Sequence, residues 1–267
     1  MTTETYTLIT GASSGFGKSL ALECASRKMN LILVALPGPE LNELADSIRM
    51  RYGVKAMAVE KDLSTEEGCY SLHSEVIKQN LRVNILINNA GVGSTFYFYE
   101  GGADFFEKQV KLNVLATTLL TRLFLPLLEQ HHQSYILNVS SLSCFFHLPR
   151  KSVYGSTKTY IYYLSRTLKK ELRPHGVSVS VICPGGMNTN AVVTQVNQSG
   201  TWFARHSAME PDVVAAIAIS GMLSKKEVII PGKLNKLYKM LDYVVPSSVK
   251  DMVQQYQMKK LKRSDVL

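Results

Sequence analysis

Apolar runs of strand length alternate with stretches of helical period along most of the chain. The runs are Tyr6–Thr10, Leu31–Leu36, Val54–Val59, Val83–Asn88, Tyr135–Ser140 and Ser178–Cys183, with a shorter one at Val228–Ile230. Between them, apolar residues at helical spacing predict helices over Gly15–Arg27, Leu41–Tyr52, Glu66–Gln79, Phe105–Gln130 and Ser152–Leu172. A further helix is predicted over Pro211–Leu223, where the proline suits a first turn. Strands that are apolar on both faces must be covered on both. The pattern therefore predicts an α/β fold: a Rossmann-type doubly wound parallel sheet, about seven strands with helices on both faces. Ligands in such sheets gather at the carboxyl ends of the strands, so the residues just past each strand are where chemistry is expected.

Composition adds limits. The chain has 267 residues, 46% of them apolar, and no Pro/Gly/Ser-rich linker divides it. One domain over 1–267 is expected, ending in a basic amphipathic extension at about 231–267. The four cysteines are scattered, with no Cys-x-x-Cys pair, which argues against a disulfide framework and for reduced thiols. No secretory signal is read at the start, and the apolar stretch Leu112–Leu128 carries Arg122 and Pro126, so a buried helix is expected rather than a span. A cytoplasmic location follows by elimination. From Lys225 onward there are ten Lys/Arg against four Asp/Glu, so the tail supplies most of the net charge of +9. A nucleic-acid footprint would spread over the body of the domain, and none is expected.

The first strand runs into Thr10-Gly11-Ala12-Ser13-Ser14-Gly15-Phe16-Gly17, which opens a helix. Glycines permit a tight turn and close approach of a pyrophosphate, and the helix N-terminus offers free N–H groups. Gly11, Ser13, Ser14, Gly15, Phe16 and Gly17 are thus candidate cofactor contacts. Asp62 and Leu63 follow the third strand; the carboxylate can bond an adenine amino group or cap the next helix with Ser64. Asn89, Ala90 and Gly91 end the fourth strand, and Pro184, Gly185 and Thr189 follow the sixth, Thr189 placed to bond a carboxamide. The second strand ends Ala35-Leu36-Pro37-Gly38, with neither the carboxylate that holds a ribose 2′-OH nor a basic residue for a 2′-phosphate. NADP(H) is favoured over NAD(H).

Tyr154 and Lys158 stand at i and i+4, on one helix face. A phenol with a pKa of about 10 exchanges protons poorly at neutral pH, and a neighbouring ammonium lowers that value. Ser141, thirteen residues before Tyr154, can bond a substrate oxygen where charge develops.

From Thr5 to about Pro231 the sequence resembles the short-chain dehydrogenase/reductase family, carried by the Thr10–Gly17 turn, Asn88–Gly91, the Ser141 and Tyr154/Lys158 set, and Pro184–Thr189. The resemblance implies an NAD(P)-dependent oxidoreductase interconverting a carbonyl and an alcohol. It gives Tyr154 the proton transfer and gives Lys158 the tuning of that phenol and the nicotinamide ribose. Ser141 is the substrate-orienting hydroxyl, preferred over Ser140 on spacing. Asn113 supports a proton-relay water. A homodimer or homotetramer through the two long helices is likewise implied.

Phe96-Tyr97-Phe98-Tyr99 and Cys144–Pro149 carry aromatics that seal the domain or wall a pocket, and Asn190–Ala208, with Trp202, Phe203 and His206, falls where the family has a substrate lid. A bulky apolar carbonyl or alcohol is the expected small-molecule substrate. Alternatives are a 3-ketoacyl-thioester reductase and a catalytically silent cofactor-sensing protein. His131-His132 reads as a solvated helix end, and no metal site is expected. The tail, with Leu234, Leu237 and Leu241 among Lys233, Lys236 and Lys239, packs over the pocket or a neighbouring subunit, or makes peripheral membrane contact.

Overall fold

The computed structural model describes residues 4–189, 193–195, 198 and 202–244. Expectations for the rest of the lid segment and for the tail beyond 244 lie outside the described residues. Seven strands form one sheet: β1 (Tyr6–Thr10), β2 (Asn30–Ala35), β3 (Ala56–Glu60), β4 (Val83–Asn88), β5 (Ser134–Val139), β6 (Val177–Ile182) and β7 (Val228–Ile229). Their order is β3-β2-β1-β4-β5-β6-β7, and every pairing is parallel. The chain reverses direction of travel across the sheet between β1 and β4, which opens a crevice at their carboxyl ends.

Helices cover both faces. On one, α1 (Gly15–Ser26), α2 (Pro39–Tyr52) and a later helix at Pro211–Leu223 bury Leu20, Leu41, Ile48, Val214, Ile219 and Met222 against Ile9, Leu31 and Leu33. On the other, α3 (Glu66–Lys78) and the helices from Ala103 to Leu128 bury Leu72, Val76, Leu120 and Phe124 against Leu8, Ile32 and Leu86. Each buried Leu or Phe side chain is worth about 1.5–3 kcal/mol relative to exposure, so these two layers hold the sheet. The alternation of small polar ends and apolar runs in the sequence is this sandwich read in one dimension.

The predicted helix Phe105–Gln130 is not one α-helix. It divides into α4 (Ala103–Val110), a π-helical turn at Lys111–Leu115, and α5 (Ala116–Leu128). Widening the turn loosens the carbonyls, and two hydroxyls take them up: Thr117 Oγ1 donates to Asn113 O at 3.1 Å and Thr118 Oγ1 to Val114 O at 2.8 Å. The stretch 103–128 is long and apolar enough to cross a membrane by length and composition. In the fold its apolar face lies on β4 and α3. The catalytic-helix candidate α6 runs Ser152–Glu171, and α7 (Trp202–Ser207), α8 (Pro211–Leu223) and α9 (Lys233–Val244) complete the described helices.

Candidate active site

The glycine turn is built by close packing. Gly11 and Gly15 take left-handed φ values of 65° and 51°, which glycine adopts without Cβ strain. A Cβ on Gly17 would sit 1.9 Å from Gly11 O, so only glycine lets α1 start this close to β1. Thr10 Oγ1 accepts the amides of Asn89 (2.9 Å) and Ala90 (3.0 Å), and Asn89 Nδ2 donates to Thr10 O (2.9 Å) and Gly11 O (3.1 Å). The ends of β1 and β4 are thereby locked together. No side chain caps α1 at Ser14 and no acidic residue stands in its first turn. Its N–H groups are left for an anion. Ser13 and Ser14 lie on the open side, and Phe16 is buried. Thr189 faces the same turn: a Cβ on Gly15 would lie 3.6 Å from Thr189 Cβ.

A cleft of about 170 Å³ opens beside this turn. Phe16 forms one wall, Asn89 and Gly91–Gly93 the next, and Val139–Ser141 with Tyr154 and Lys158 the third. Pro184, Gly185 and Met187 close it. Each wall follows a different strand, as the sheet order requires.

Ser140 and Ser141 divide the work at the end of β5. Ser140 Oγ donates to Lys158 O at 2.7 Å and is 2% exposed, which leaves it unavailable to a ligand. Ser141 lines the cleft with Tyr154 and accepts from Ser143 N at 3.1 Å. Lys158 Nζ donates to Val139 O at 2.9 Å and stands 5.8 Å from the centre of the Tyr154 ring. Burial pushes the lysine from 10.5 down to about 8. Burial also raises the Tyr154 phenol above its usual 10, while the Ser141 hydrogen bond opposes the rise. This departs from the expected lowering by Lys158. The cleft desolvates both groups, and for the phenol that cost exceeds the help of the Ser141 hydroxyl.

Asn113 lies in the π turn and is 1% exposed. Its Oδ1 accepts from Val92 N (2.9 Å), and its Nδ2 donates to Val92 O (3.0 Å) and to Thr157 Oγ1 (3.0 Å). Thr157 Oγ1 donates in turn to Tyr154 O at 2.7 Å. The side chain thus clasps the loop after β4 to the helix of Tyr154. A Cβ on Gly91 would meet Asn113 Oδ1 at 2.9 Å and Lys158 Nζ at 3.5 Å, which places all three together. Thr157 was missing from the sequence reading because a Thr between Tyr and Lys looks like a spacer.

At the adenosine end, Asp62 Oδ1 accepts from Ser64 N (2.9 Å) and Ser64 Oγ (2.7 Å), and these bonds hold its carboxyl below the usual range. One oxygen is therefore engaged in the turn before α3, and Leu63 is buried beneath it. Leu36 is 53% exposed. A group the sequence did not suggest lies beside it: Glu60, at the end of β3, whose Oε1 accepts from Gly38 N (3.4 Å) and Asn42 Nδ2 (3.3 Å). Only the β2–β3 register, which pairs Ala35 with Glu60, reveals it.

The aromatics segregate. Phe96 and Phe98 pack on Phe106, while Tyr97 stacks on Tyr99. Phe145 packs edge-on to Tyr162, and Phe146 meets Tyr238 of α9 at 4.4 Å. Asn235, also on α9, is 1% exposed and donates from Nδ2 to Pro231 O (2.9 Å) and Ser207 O (3.3 Å). A Cβ on Gly185 would lie 2.8 Å from Asn235 Oδ1. The described start of the tail thus packs against the loops that frame the cleft.

A doubly wound parallel sheet with a glycine turn after β1 and a Ser/Tyr/Lys group after β5 defines a Rossmann-type α/β protein. The chain belongs to the short chain dehydrogenase family, whose sequence profile matches residues 5–200. It is 28% identical over 183 residues to a very-long-chain 3-oxoacyl-CoA reductase of Anas platyrhynchos, which covers 67% of this chain and 58% of that protein. The chain thus spans little more than half the length of that curated relative. A short-chain dehydrogenase from Sphingobium yanoikuyae, solved in complex with NADPH, is 30% identical with a TM-score of 0.78, covering 90% of this chain and 93% of the other. The bulky-bulky ketone specific alcohol dehydrogenase from Comamonas testosteroni is 28% identical with a TM-score of 0.77, covering 90% and 91%.

Proposed function

We propose that the protein is a nicotinamide-dependent oxidoreductase interconverting a carbonyl and an alcohol. The observation that carries the reading is that Ser141, Tyr154 and Lys158 converge on one cleft that Phe16 of the glycine turn also lines. A substrate oxygen in that cleft meets both hydroxyls at once. In reduction Tyr154 donates its phenolic proton to this oxygen, and in oxidation it takes the proton back. Ser141 bonds the same oxygen as charge develops on it. Lys158 would hold the cofactor ribose, and Asn113 holds the Val92 loop and the Tyr154 helix in register.

The residues present fit a dinucleotide. The uncapped start of α1 and the close-packed Gly11, Gly15 and Gly17 leave room for a pyrophosphate, with Ser13, Ser14 and Phe16 beside it. Asn89–Gly91, Asp62 and Leu63 would line the adenosine side, and Pro184, Gly185 and Thr189 the nicotinamide side. Bound there, the nicotinamide supplies or accepts the hydride. NADP(H) is the proposed preference, supported by the lack of a carboxylate on β2 and by NADPH in the Sphingobium relative. Glu60 limits that preference by placing an anion beside Gly38.

The proposed substrate has a bulky apolar body, supported by the Comamonas ketone enzyme. A 3-ketoacyl thioester is the second reading, favoured by the 3-oxoacyl-CoA reductase and by Lys239, whose Nζ lies 4.8 Å over the Phe145 ring. A panel of apolar ketones and 3-ketoacyl thioesters, followed by cofactor absorbance, decides between them. Tyr154→Phe should slow the best substrate by about 10²–10⁴-fold. A variant as fast as wild type would overturn the mechanism.

Cytoplasmic location and a homodimer or homotetramer through the 105–130 and 152–172 helices are part of this reading. It is supported by Val110, Tyr160 and Tyr163, which stand exposed on those helices. The tail is assigned to the pocket rim, with peripheral membrane contact as the alternative that liposome flotation tests.

A further inference from the structure

Two thiols that the mechanism does not use stand at the roots of two cleft walls. Cys144 ends the 3₁₀ turn Leu142–Cys144, directly after Ser141. Cys183 is the residue after β6 and precedes Pro184. Their sulfurs are 3.9 Å apart, although the residues are 39 apart in sequence. Cys144 is half-buried at the Phe145 rim, whereas Cys183 is fully buried and held by its N–H to Ile229 O at 2.8 Å.

The pair is chemically asymmetric. A hydrogen bond with the Cys183 thiol, with Lys239 nearby, holds the Cys144 thiol below its usual value, while burial pushes Cys183 well above it. The reachable sulfur is thus the one that ionises, and its neighbour is a shielded second thiol. Cys24 and Cys69 are buried in the sheet's two separate helix layers, and burial raises both, to about 12 and about 11.

We infer that Cys144 and Cys183 form an oxidisable thiol pair, a modification site at which a hydroperoxide closes a disulfide and shuts the cleft. The Cys144 thiol first releases its proton; the thiolate attacks an oxygen of hydrogen peroxide, the O–O bond breaks, and Cys144 becomes a sulfenic acid as hydroxide leaves and takes up that proton as one water. The Cys183 sulfur then attacks the Cys144 sulfur, the S–O bond breaks, and hydroxide departs with the Cys183 proton as a second water. The peroxide is reduced and two thiols are oxidised; a dithiol reverses the bond. A disulfide needs its sulfurs about 2.05 Å apart. Cys183 is fixed in the sheet, so the 3₁₀ turn must move, and Ser141 moves with it.

The test is hydrogen peroxide treatment of the full chain, then non-reducing peptide mapping and, separately, carbonyl reduction. We expect a peptide linking Cys144 to Cys183, two hydrogens lighter than the sum of its parts, and an activity loss of roughly ten- to a hundredfold restored by dithiothreitol. Cys144→Ser and Cys183→Ala, prepared separately, should each keep their activity through the same treatment. Absence of the linked peptide while Cys144 is oxidised to sulfinic acid would overturn the inference, as would inactivation of both variants at the wild-type rate. The mass readout does not depend on turnover, so an inactive protein would count against the proposed reaction and leave the thiol inference to be judged on its own.

Discussion

Single side chains near the cleft act mainly by where their charge and hydrogen bonds are aimed. Glu60 shows this at the cofactor's distal end. Its carboxylate leans on the turn after β2 and would repel a ribose 2′-phosphate. Glu60→Gln should therefore shift the NADPH-to-NADH affinity ratio towards NADPH by about two- to fivefold, since exposed charge interactions are worth ~0.2–1 kcal/mol. Titrating both cofactors into wild type and variant measures it, and an unchanged ratio removes Glu60 from the site. At this scale the sequence singles out candidate reacting groups and hides their partners. Tyr154, Lys158 and Ser141 announce themselves by type and spacing. Glu60, Thr157 and Asn235 do not, because their roles arise from contacts between strands and helices distant along the chain.

Elements tell the converse story. Strand limits read from apolar runs agree with the fold to within a residue or two, because a strand buried on both faces leaves little ambiguity. The π turn was invisible. Over five residues its wider repeat cannot be told from an α-helix by apolar spacing, so one long helix was expected where two meet at Asn113. The glycine turn was legible as chemistry but not as packing. Gly17→Ala should cost about 2–4 kcal/mol and abolish cofactor binding, since the new methyl would collide with Gly11 O. Gly53, at the end of α2, also has a left-handed φ of 65° but nothing within 4 Å of an added Cβ. Gly53→Ala should cost only about 1 kcal/mol and leave binding intact. Denaturant melts with cofactor titration compare the two; equal losses would mean that a shift of α1 relieves the collision at Gly17.

For the molecule as a whole, the cleft's dryness has a cost in stability. Lys158 falls from 10.5 to about 8 on folding, so below pH 8 the folded state holds an ammonium it disfavours. Between about pH 8 and 10.5 the unfolded chain binds that proton and the folded one does not, and stability from this group rises with pH. The full penalty below that window is on the order of 3 kcal/mol. Lys158→Met removes it but also strands Val139 O, a loss of about 1 kcal/mol. The variant should be more stable than wild type by about 1–2 kcal/mol at pH 7, with the advantage fading towards pH 10, and should be nearly inactive. Urea melts across that range test the sign; an advantage independent of pH would refute the charge argument.

The seat of Gly185 on Asn235 has a bearing on protein synthesis. The last of the proposed reacting groups, Lys158, and the last proposed cofactor contact, Thr189, are both translated well before residue 235. The support beneath Gly185 is not translated until residue 235. A nascent chain that stops short of residue 235 therefore carries the complete set of proposed reactive side chains while one wall of the cleft lacks its floor.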